Sequence, residues 1–317
     1  METIKCLQYA SAGRPIFTSV DKNAPGSGEV GIRIMASSLC NTSEMRSFTG
    51  GYKSGYGTTY PMLPGEPGHE AVGIVESIGG NVSTVREKDI VVMTGHGGEP
   101  CHRSYVTRRV LDIAVIEPGK RNPEDAAMLE MYGCAYHCML APGGEDFYKG
   151  KKVLVIGLGS MGLCSVQVLN SIQDIEITVS DISENRLDIA GACGADITKK
   201  PDEIDPQEKY DVIIECSGSV AGQELACMLA PRTLIFSSYS TKEIRVRQNL
   251  WFDSNTTIYN PGILTSENFI KTAGLYNEGR LDPSLLVTGR IKADINEYLS
   301  AIDEIKNGRT IKTLMLW

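Results

Sequence analysis

The sequence predicts an α/β fold in which a β-rich part is followed by a doubly wound parallel sheet with helices on both faces. Two observations predict it. Roughly the first 140 residues are rich in strand signals and are punctuated throughout by glycine and proline. From Lys151 onward, short apolar strands alternate with helical stretches. A length of 317 residues is sufficient for two domains, each with its own core.

The elements are predicted from local patterns, in chain order. In the first part, apolar runs bounded by turn residues predict strands at Val30–Met35, Ala71–Ile78 and Ile90–Met93. In the second part, strands are predicted at Val153–Ile156, Ile175–Ser180, Val212–Cys216, Leu234–Ser237 and Thr257–Tyr259. After Gly279, the pattern predicts a strand at Leu285–Arg290 and a helix from Ile295 to Asn307 with apolar Leu299, Ile302 and Ile305.

A glycine-rich turn follows the strand at Val153–Ile156 and predicts a dinucleotide site. Gly157 allows a tight turn, Gly159 allows the backbone to approach a pyrophosphate, and Gly162 allows helix and strand to pack closely. The motif alone is weak, but an apolar strand precedes it and a stretch of helical spacing follows it. Asp181 ends the next strand, where its carboxylate would bind the ribose hydroxyls and repel a 2′-phosphate. This predicts NAD rather than NADP, and it is compatible with Asp181 also capping the following helix.

Composition excludes several other classes of function. The net charge is −8, without any block of lysine and arginine, which argues against a nucleic-acid partner. No apolar run approaches the ~20 residues that span a bilayer, and the start METIKCLQYA lacks a signal-peptide pattern. We therefore expect a cytoplasmic protein without a membrane partner. The nine cysteines are an odd number and include no C-x-x-C pair, so they do not form a secreted disulfide framework.

Cys40 and His69 are candidate metal ligands, because both lie where strand-like runs give way to loops. Thiolate and imidazole are preferred ligands of zinc. Two residues do not make a site, but hydride transfer from an alcohol needs a group that stabilises the developing alkoxide. A zinc ion with an open coordination position supplies that stabilisation. The dinucleotide turn therefore strengthens the zinc interpretation.

Over essentially its whole length, the chain resembles the zinc-dependent medium-chain dehydrogenases/reductases, the superfamily of alcohol, sorbitol and threonine dehydrogenases. The resemblance lies in the turn at 157–162 and in Gly68–Val75 (GHEAVGIV), Asp181–Ala195 (DISENRLDIAGACGA), Asp211–Gly218 (DVIIECSG) and Asn307–Lys312 (NGRTIK). It implies a GroES-like catalytic domain formed by residues 1–140 and 275–317, and a Rossmann domain at residues 141–274. It also implies a homodimer or homotetramer joined near Thr257–Tyr259.

The resemblance also implies the site residues. Cys40 and His69 would hold one catalytic zinc, with Glu130 as third ligand by similarity to the polyol branch and Cys134 as the rival for that place. Glu70 would act as a neighbouring carboxylate that orients the site or exchanges onto the metal. Thr42 would take the substrate's proton, and Met45 stands where the family often has a further histidine of the relay. The cofactor would be bound by Gly157, Gly159, Ser160, Met161, Gly162, Asp181, Arg186 and Ser217.

The chain departs from many relatives in the segment that carries a structural zinc. Four closely spaced cysteines bind that ion, whereas Cys101 is the only cysteine between His69 and Glu130. A structural zinc is therefore predicted to be absent. Cys101 and the nearby His96 and His102 could form a small metal site, but substrate contact from this loop is the better interpretation.

Together these patterns predict an NAD-dependent, zinc-dependent oxidation of a secondary alcohol to a ketone, or the reverse reaction. The expected substrate is a small hydroxylated molecule: a polyol, cyclitol, sugar or amino alcohol. Two alternatives stay open. One is a zinc-free reductase of the quinone or enoyl type, although such relatives generally lack the cysteine and histidine ligands. The other is a catalytically silent NAD-binding sensor or scaffold.

Overall fold

The computed structural model describes residues 2–51, 59–94, 99–238, 240, 242–262 and 264–317. The chain forms two compact units, Met1–Glu130 with Leu286–Trp317, and Met131–Leu285. The predicted fold class, a β-rich GroES-like part with a doubly wound α/β part, is confirmed, while the domain limits given above stay a prediction. Among the described residues, no helix is both long and apolar enough to cross a membrane.

Fifteen strands lie within the described residues: β1 (Thr3–Ser11), β2 (Arg14–Asp21), β3 (Glu29–Ser38), β4 (Glu70–Ile78), β5 (Ile90–Met93), β6 (Tyr105–Arg109), β7 (Ile113–Val115), β8 (Lys151–Ile156), β9 (Ile175–Ser180), β10 (Ile197–Lys199), β11 (Val212–Glu215), β12 (Thr233–Phe236), β13 (Thr257–Tyr259), β14 (Val287–Lys292) and β15 (Lys312–Leu316). The same part of the chain contains eight α-helices: α1 (Asn41–Thr49), α2 (Leu129–Leu140), α3 (Ser160–Asn170), α4 (Glu184–Ala192), α5 (Val220–Leu229), α6 (Gln248–Ser254), α7 (Ser266–Asn277) and α8 (Ile295–Lys306).

In the first unit, a seven-stranded sheet brings three distant segments together. Its order is β14-β15-β3-β4-β5-β7, and β6 also pairs with β3. The end of β3 faces the start of β4, with Ser38 opposite Glu70, while Leu314 of β15 faces Ser38 from the other side. Cys40, just after β3, His69, just before β4, and Lys312, at the start of β15, therefore converge at one end of the sheet.

The first unit has two main apolar clusters. One lies on the sheet and is formed by residues such as Val30, Ile32, Val91 and Val106. The other joins β1 to α8, whose buried Tyr298, Ala301, Ile302 and Ile305 recur at helical spacing. Asp294 caps α8 by accepting hydrogen bonds from the backbone N–H groups of Asn296 and Glu297. The sheet and the helix α8 are thus each anchored in an apolar core.

In the second unit, six parallel strands form a sheet of order β10-β9-β8-β11-β12-β13. Val153–Ile156 of β8 are almost completely buried, as a central strand covered on both faces requires. The strand order reverses between β8 and β11, which is the place where open α/β sheets bind their ligands. The turn at 157–162 leaves β8 at this point and leads into α3.

Candidate functional site

Three of the predicted residues form a compact group of potential metal ligands. Cys40 Sγ, His69 Nε2 and a carboxylate oxygen of Glu70 all lie within 4.8 Å of one another. The His69 ring is oriented by its Nδ1–H, which donates to the carbonyl oxygen of Pro67 at 2.8 Å and so directs Nε2 towards the group. A thiol, an imidazole and a carboxyl group are a donor set that zinc binds. The residues therefore fit a single zinc ion.

Cys40 and His69 shift each other's pKa. Burial by itself raises the pKa of the Cys40 thiol, but the charge of His69 and a hydrogen bond to it lower that pKa below its usual value. Burial by itself lowers the pKa of His69, and the thiolate of Cys40 overcomes it and raises that pKa well above the usual value. Each group thus favours the charged form of the other. The thiolate is the form that binds zinc.

Glu70 is the most constrained of the three ligand candidates. Both its carboxylate oxygens accept from Lys312 Nζ, at 2.6 and 2.7 Å, and both side chains are completely buried. Oε1 of Glu70 also lies 3.7 Å from His69 Nε2. Lys312 Nζ has a further contact at 3.4 Å with the carbonyl oxygen of Leu39, in the residue before Cys40. This places Glu70 beside the metal ligands while a lysine balances its charge.

The other residues predicted for this site, Glu130, Cys134 and Thr42, lie on the helices α2 and α1. Glu130 is buried in the first turn of α2, and its negative charge contributes to the raised pKa of His69. The described residues place Glu70, rather than Glu130, within 4.8 Å of both Cys40 and His69. Cys134 lies one helical turn after Glu130. Thr42 is exposed in the first turn of α1.

The predicted dinucleotide turn has the expected backbone. Gly157 has a φ of +88°, which favours glycine, and a Cβ there would collide with Ser217. A Cβ on Gly162 would collide with the carbonyl oxygen of Gly157. A Cβ on Gly159, in contrast, would meet no described protein atom within 4 Å, so glycine at this position leaves the backbone itself exposed to a ligand. Ser160 and Met161 start α3, whose first N–H groups suit a phosphate.

Asp181 lies beside this turn, at the end of β9. Its Oδ2 accepts from the backbone N–H of Leu158 at 2.6 Å, and its Oδ1 accepts from the N–H of Ser183 at 2.9 Å. Nη1 of Arg186 lies 3.9 Å from Oδ2. Asp181 thus fixes the glycine turn and opens the following helix, and its carboxylate carries a negative charge at the place expected for a ribose.

Ser217 connects the turn to the neighbouring strand. Its N–H donates at 2.8 Å to Oε1 of Glu215, a completely buried residue at the end of β11, and its hydroxyl bonds to the same oxygen. The other oxygen of Glu215 accepts from the hydroxyl of Ser238 at 2.5 Å. One carboxylate therefore holds the loops that follow β11 and β12. Sequence reasoning assigned no role to Glu215, although it lies inside the segment DVIIECSG.

Cys101 and His102 lie in the segment that carries a structural zinc in many relatives, and both are buried. His96 lies outside the described residues. Cys101 is completely buried in the sheet core, and burial raises the pKa of its thiol to about 12. His102 is completely buried and contacts Ser37 and Glu44 at 2.8 Å each. Substrate contact by these two residues, which sequence reasoning preferred, is inconsistent with their complete burial.

Sequence reasoning missed Lys312 as a neighbour of the candidate metal ligands. The available signal was a single charged residue in the largely apolar run Ile311–Trp317, at the end of the recognised segment NGRTIK. A buried lysine needs a buried acid as its partner. The identity of that acid was not visible, because Glu70 lies 242 residues earlier in the chain.

Comparisons with known proteins agree with this architecture. Residues 26–111 match the family described as Alcohol dehydrogenase GroES-like domain. L-threonine 3-dehydrogenase from Pyrococcus horikoshii is 26% identical over 339 aligned residues, which cover 95% of this chain and 94% of that protein. L-threonine 3-dehydrogenase from Anaeromyxobacter dehalogenans is 25% identical and is matched over 99% of both chains. Galactitol-1-phosphate dehydrogenase from Escherichia coli has a similar structure, with a TM-score of 0.81 at 19% identity over 99% of this chain and all of that one.

Proposed function

We propose that this chain, which belongs to the medium-chain dehydrogenase/reductase superfamily, oxidises a secondary alcohol to a ketone with NAD and one catalytic zinc ion, or catalyses the reverse reaction. The observation that carries the proposal is the group formed by Cys40 Sγ, His69 Nε2 and a Glu70 oxygen within 4.8 Å. The dehydrogenase relatives support the broader statement that the chain is an oxidoreductase that uses a nicotinamide cofactor.

Zinc in this site would act as a Lewis acid on the hydroxyl oxygen of the substrate. Cys40 and His69 would hold the ion, and we propose Glu130 as the third ligand. The support for Glu130 is its burial and its charge near His69, together with the engagement of both Glu70 oxygens by Lys312. Cys134 stays the alternative. Glu70 would adjust the charge around the ion through its partner Lys312.

Thr42 would accept the proton of the substrate hydroxyl. Its place in the first turn of α1, two residues after Cys40, and its exposure support this role. The side chain three residues further on is Met45, which cannot carry a proton, so the proton would pass from Thr42 to water or to hydroxyl groups of the cofactor. In the second unit, the turn at 157–162 would bind the pyrophosphate of NAD.

We propose NAD rather than NADP because Asp181 carries a carboxylate at the ribose position, where a 2′-phosphate would be repelled. Arg186, at 3.9 Å from that carboxylate, would bind the neighbouring part of the same ribose. For the substrate, we propose a small amino alcohol or polyol. The names of the relatives, which point to L-threonine and to galactitol 1-phosphate, support this class.

We further propose that the protein is a homodimer or homotetramer and that it binds neither nucleic acid nor membranes. The support for the assembly is β13, which forms one edge of the six-stranded sheet and has an exposed Ile258. The support for excluding nucleic acid is the net charge of −8.

Metal analysis of protein purified without chelator tests the proposal. The wild-type protein is expected to contain about one zinc per chain, because the described residues offer one group of ligands that fits the ion. Cys40→Ala is expected to contain less than about a tenth of that amount, whereas Cys227→Ala, a buried cysteine of the second unit, serves as the matched control and retains the metal. A wild-type protein without zinc contradicts the proposal, and about two zinc ions per chain contradict the predicted absence of a structural site.

Activity is tested with the same three proteins. NAD reduction is measured with a panel of amino alcohols and polyols, and the wild-type protein and Cys227→Ala are expected to react while Cys40→Ala does not.

In the cobalt-substituted protein, the intensity of the thiolate-to-cobalt charge-transfer band counts the cysteine ligands. One thiolate supports a carboxylate such as Glu130 as third ligand, and two support Cys134.

A further inference from the structure

A buried chain of hydrogen bonds runs through the first unit next to the proposed metal site. It links Trp317 to Ser37 (2.9 Å), Ser37 to His102 (2.8 Å), His102 to Glu44 (2.8 Å), Glu44 to Tyr298, and Tyr298 to Tyr9 (2.9 Å). All of these side chains except Trp317 are at most 1% exposed. Polar groups buried to this degree lower stability unless every one of them has a partner.

Every donor in this chain of hydrogen bonds faces an acceptor. The Trp317 indole can only donate, so Ser37 Oγ accepts from it and its own hydrogen serves His102 Nδ1. Nε2–H of His102 then donates to one oxygen of Glu44, and Tyr298 donates to the other. Glu44 thus accepts from both directions. It lies in the first turn of α1, where the helix dipole stabilises a negative charge.

His102 and Glu44 connect the two segments that carry the metal ligands. The backbone N–H of Glu44 donates to the carbonyl oxygen of Cys40 at 2.8 Å, in the first hydrogen bond of α1. The His102 ring packs against Gly68, the residue before His69, so closely that a Cβ on Gly68 would collide with the ring. The N–H of Cys101 also donates to the carbonyl oxygen of Gly68 at 2.9 Å. The bond between His102 and Glu44 therefore joins the Cys40 segment to the His69 segment.

We infer that His102 is a positioning residue for the metal site: through its Nε2–H bond to Glu44 and its packing on Gly68, it fixes the separation of the Cys40 thiolate and the His69 imidazole. The inference rests on the proposed function, because it assumes a metal bound by these two residues. An apolar pair at positions 44 and 102 would also fill the core, but it would leave the two ligand segments free to shift. Sites held within about 0.5 Å of their working geometry need such support.

Two substitutions of His102 separate this role from general stabilisation. The amide of glutamine reaches the place of Nε2, so His102→Gln retains the bond to Glu44. The amide of asparagine reaches the place of Nδ1, so His102→Asn retains only the bond to Ser37. Tyr9→Phe removes the last hydroxyl of the chain and leaves His102, Glu44 and Tyr298 connected, which makes it a control for a lost buried hydrogen bond.

The measurements are zinc affinity, by competition with a chromogenic chelator, and the absorption spectrum of the cobalt-substituted protein. We expect the wild-type protein, His102→Gln and Tyr9→Phe to bind zinc with similar affinity. His102→Asn is expected to bind zinc about tenfold or more weakly and to show shifted cobalt d–d bands. Thermal unfolding is measured in parallel to record the effect on the fold.

Several results overturn the inference. If His102→Asn unfolds at a lower temperature but binds zinc and cobalt as the wild-type protein does, His102 only stabilises the fold. If His102→Gln binds zinc as weakly as His102→Asn, the bond to Glu44 is not the connection. Should His102→Asn fail to fold, Glu44→Met, which removes both acceptors, is expected to weaken zinc binding in its place, and wild-type affinity in it overturns the inference. A wild-type protein that binds neither metal overturns the proposed function as well, which distinguishes the two failures.

Discussion

Substitution of Lys312 by methionine tests the buried ion pair beside the proposed metal ligands. Methionine has a similar volume, so the main effect is the loss of the positive charge that both oxygens of Glu70 contact at 2.6 and 2.7 Å. Neither side chain is exposed, so water cannot take the place of the lysine. Removal of one partner from a buried pair lowers the free energy of unfolding by about 3–5 kcal/mol. At ~2 kcal/mol per molar urea, that loss moves the unfolding midpoint down by about 1.5–2.5 M.

The assay is urea unfolding of metal-free protein in a Trp251→Phe background, followed by the fluorescence of the remaining Trp317, which lies in the same unit as Lys312. Lys312→Met combined with Glu70→Leu is expected to recover most of the lost stability, because an apolar pair of similar volume replaces a buried ion pair at little cost. Arg309→Met removes an exposed ion-paired cation from the same segment and is expected to leave the midpoint unchanged. A midpoint of Lys312→Met that equals the wild-type value, or a double variant no more stable than Lys312→Met, refutes the reasoning.

Three further predictions concern cofactor and metal. Asp181→Ala is expected to weaken NAD binding about 10–100-fold and to reduce the preference for NAD over NADP, measured by titration with both cofactors; an unchanged ratio of the two affinities contradicts the role of the carboxylate. Gly162→Ala is expected to lower both the unfolding temperature and NAD affinity. Gly159→Ala is expected to lower NAD affinity alone, because its Cβ meets no described protein atom within 4 Å. Equal thermal stability of the two variants argues against this difference. The raised pKa of His69 means that zinc must displace a proton near neutral pH, so zinc affinity is expected to rise about tenfold per pH unit until the pH passes that pKa, and affinity independent of pH between about 6 and 7 contradicts a protonated His69.

The second unit could be predicted well from the sequence, because its central strands β8, β9, β11 and β12 are largely buried and read as apolar runs. The strands predicted at Ile175–Ser180 and Thr257–Tyr259 are β9 and β13 with the same bounds, and Val153–Ile156 lies within β8. The short strand β10 was not predicted, since Ile197–Lys199 contains a single apolar residue and is followed by a second lysine. Local signals were sufficient here, because a parallel sheet with helical crossovers is encoded segment by segment.

The candidate site was predictable where chemistry limits the choice of residue. A thiol and an imidazole near a dinucleotide turn indicate zinc, and the structure brings Cys40 and His69 together because Ser38 faces Glu70 in the sheet. Lys312, Glu44 and His102 could not be assigned in the same way. Their partners lie far along the chain, and only the pairing of strands shows which segments meet.

The position of Lys312 has a consequence for how the protein is synthesised. Glu70 leaves the ribosome 242 residues before the lysine that balances its charge, a delay of about 12–48 s at 5–20 residues per second. During this time β3 lacks its neighbour β15, and the Cys40 segment lacks the contact between Lys312 and the carbonyl oxygen of Leu39. The nascent first unit therefore carries an uncompensated acid and an open sheet edge, and Cys40, His69 and Glu70 reach their final arrangement only after translation of the whole second unit.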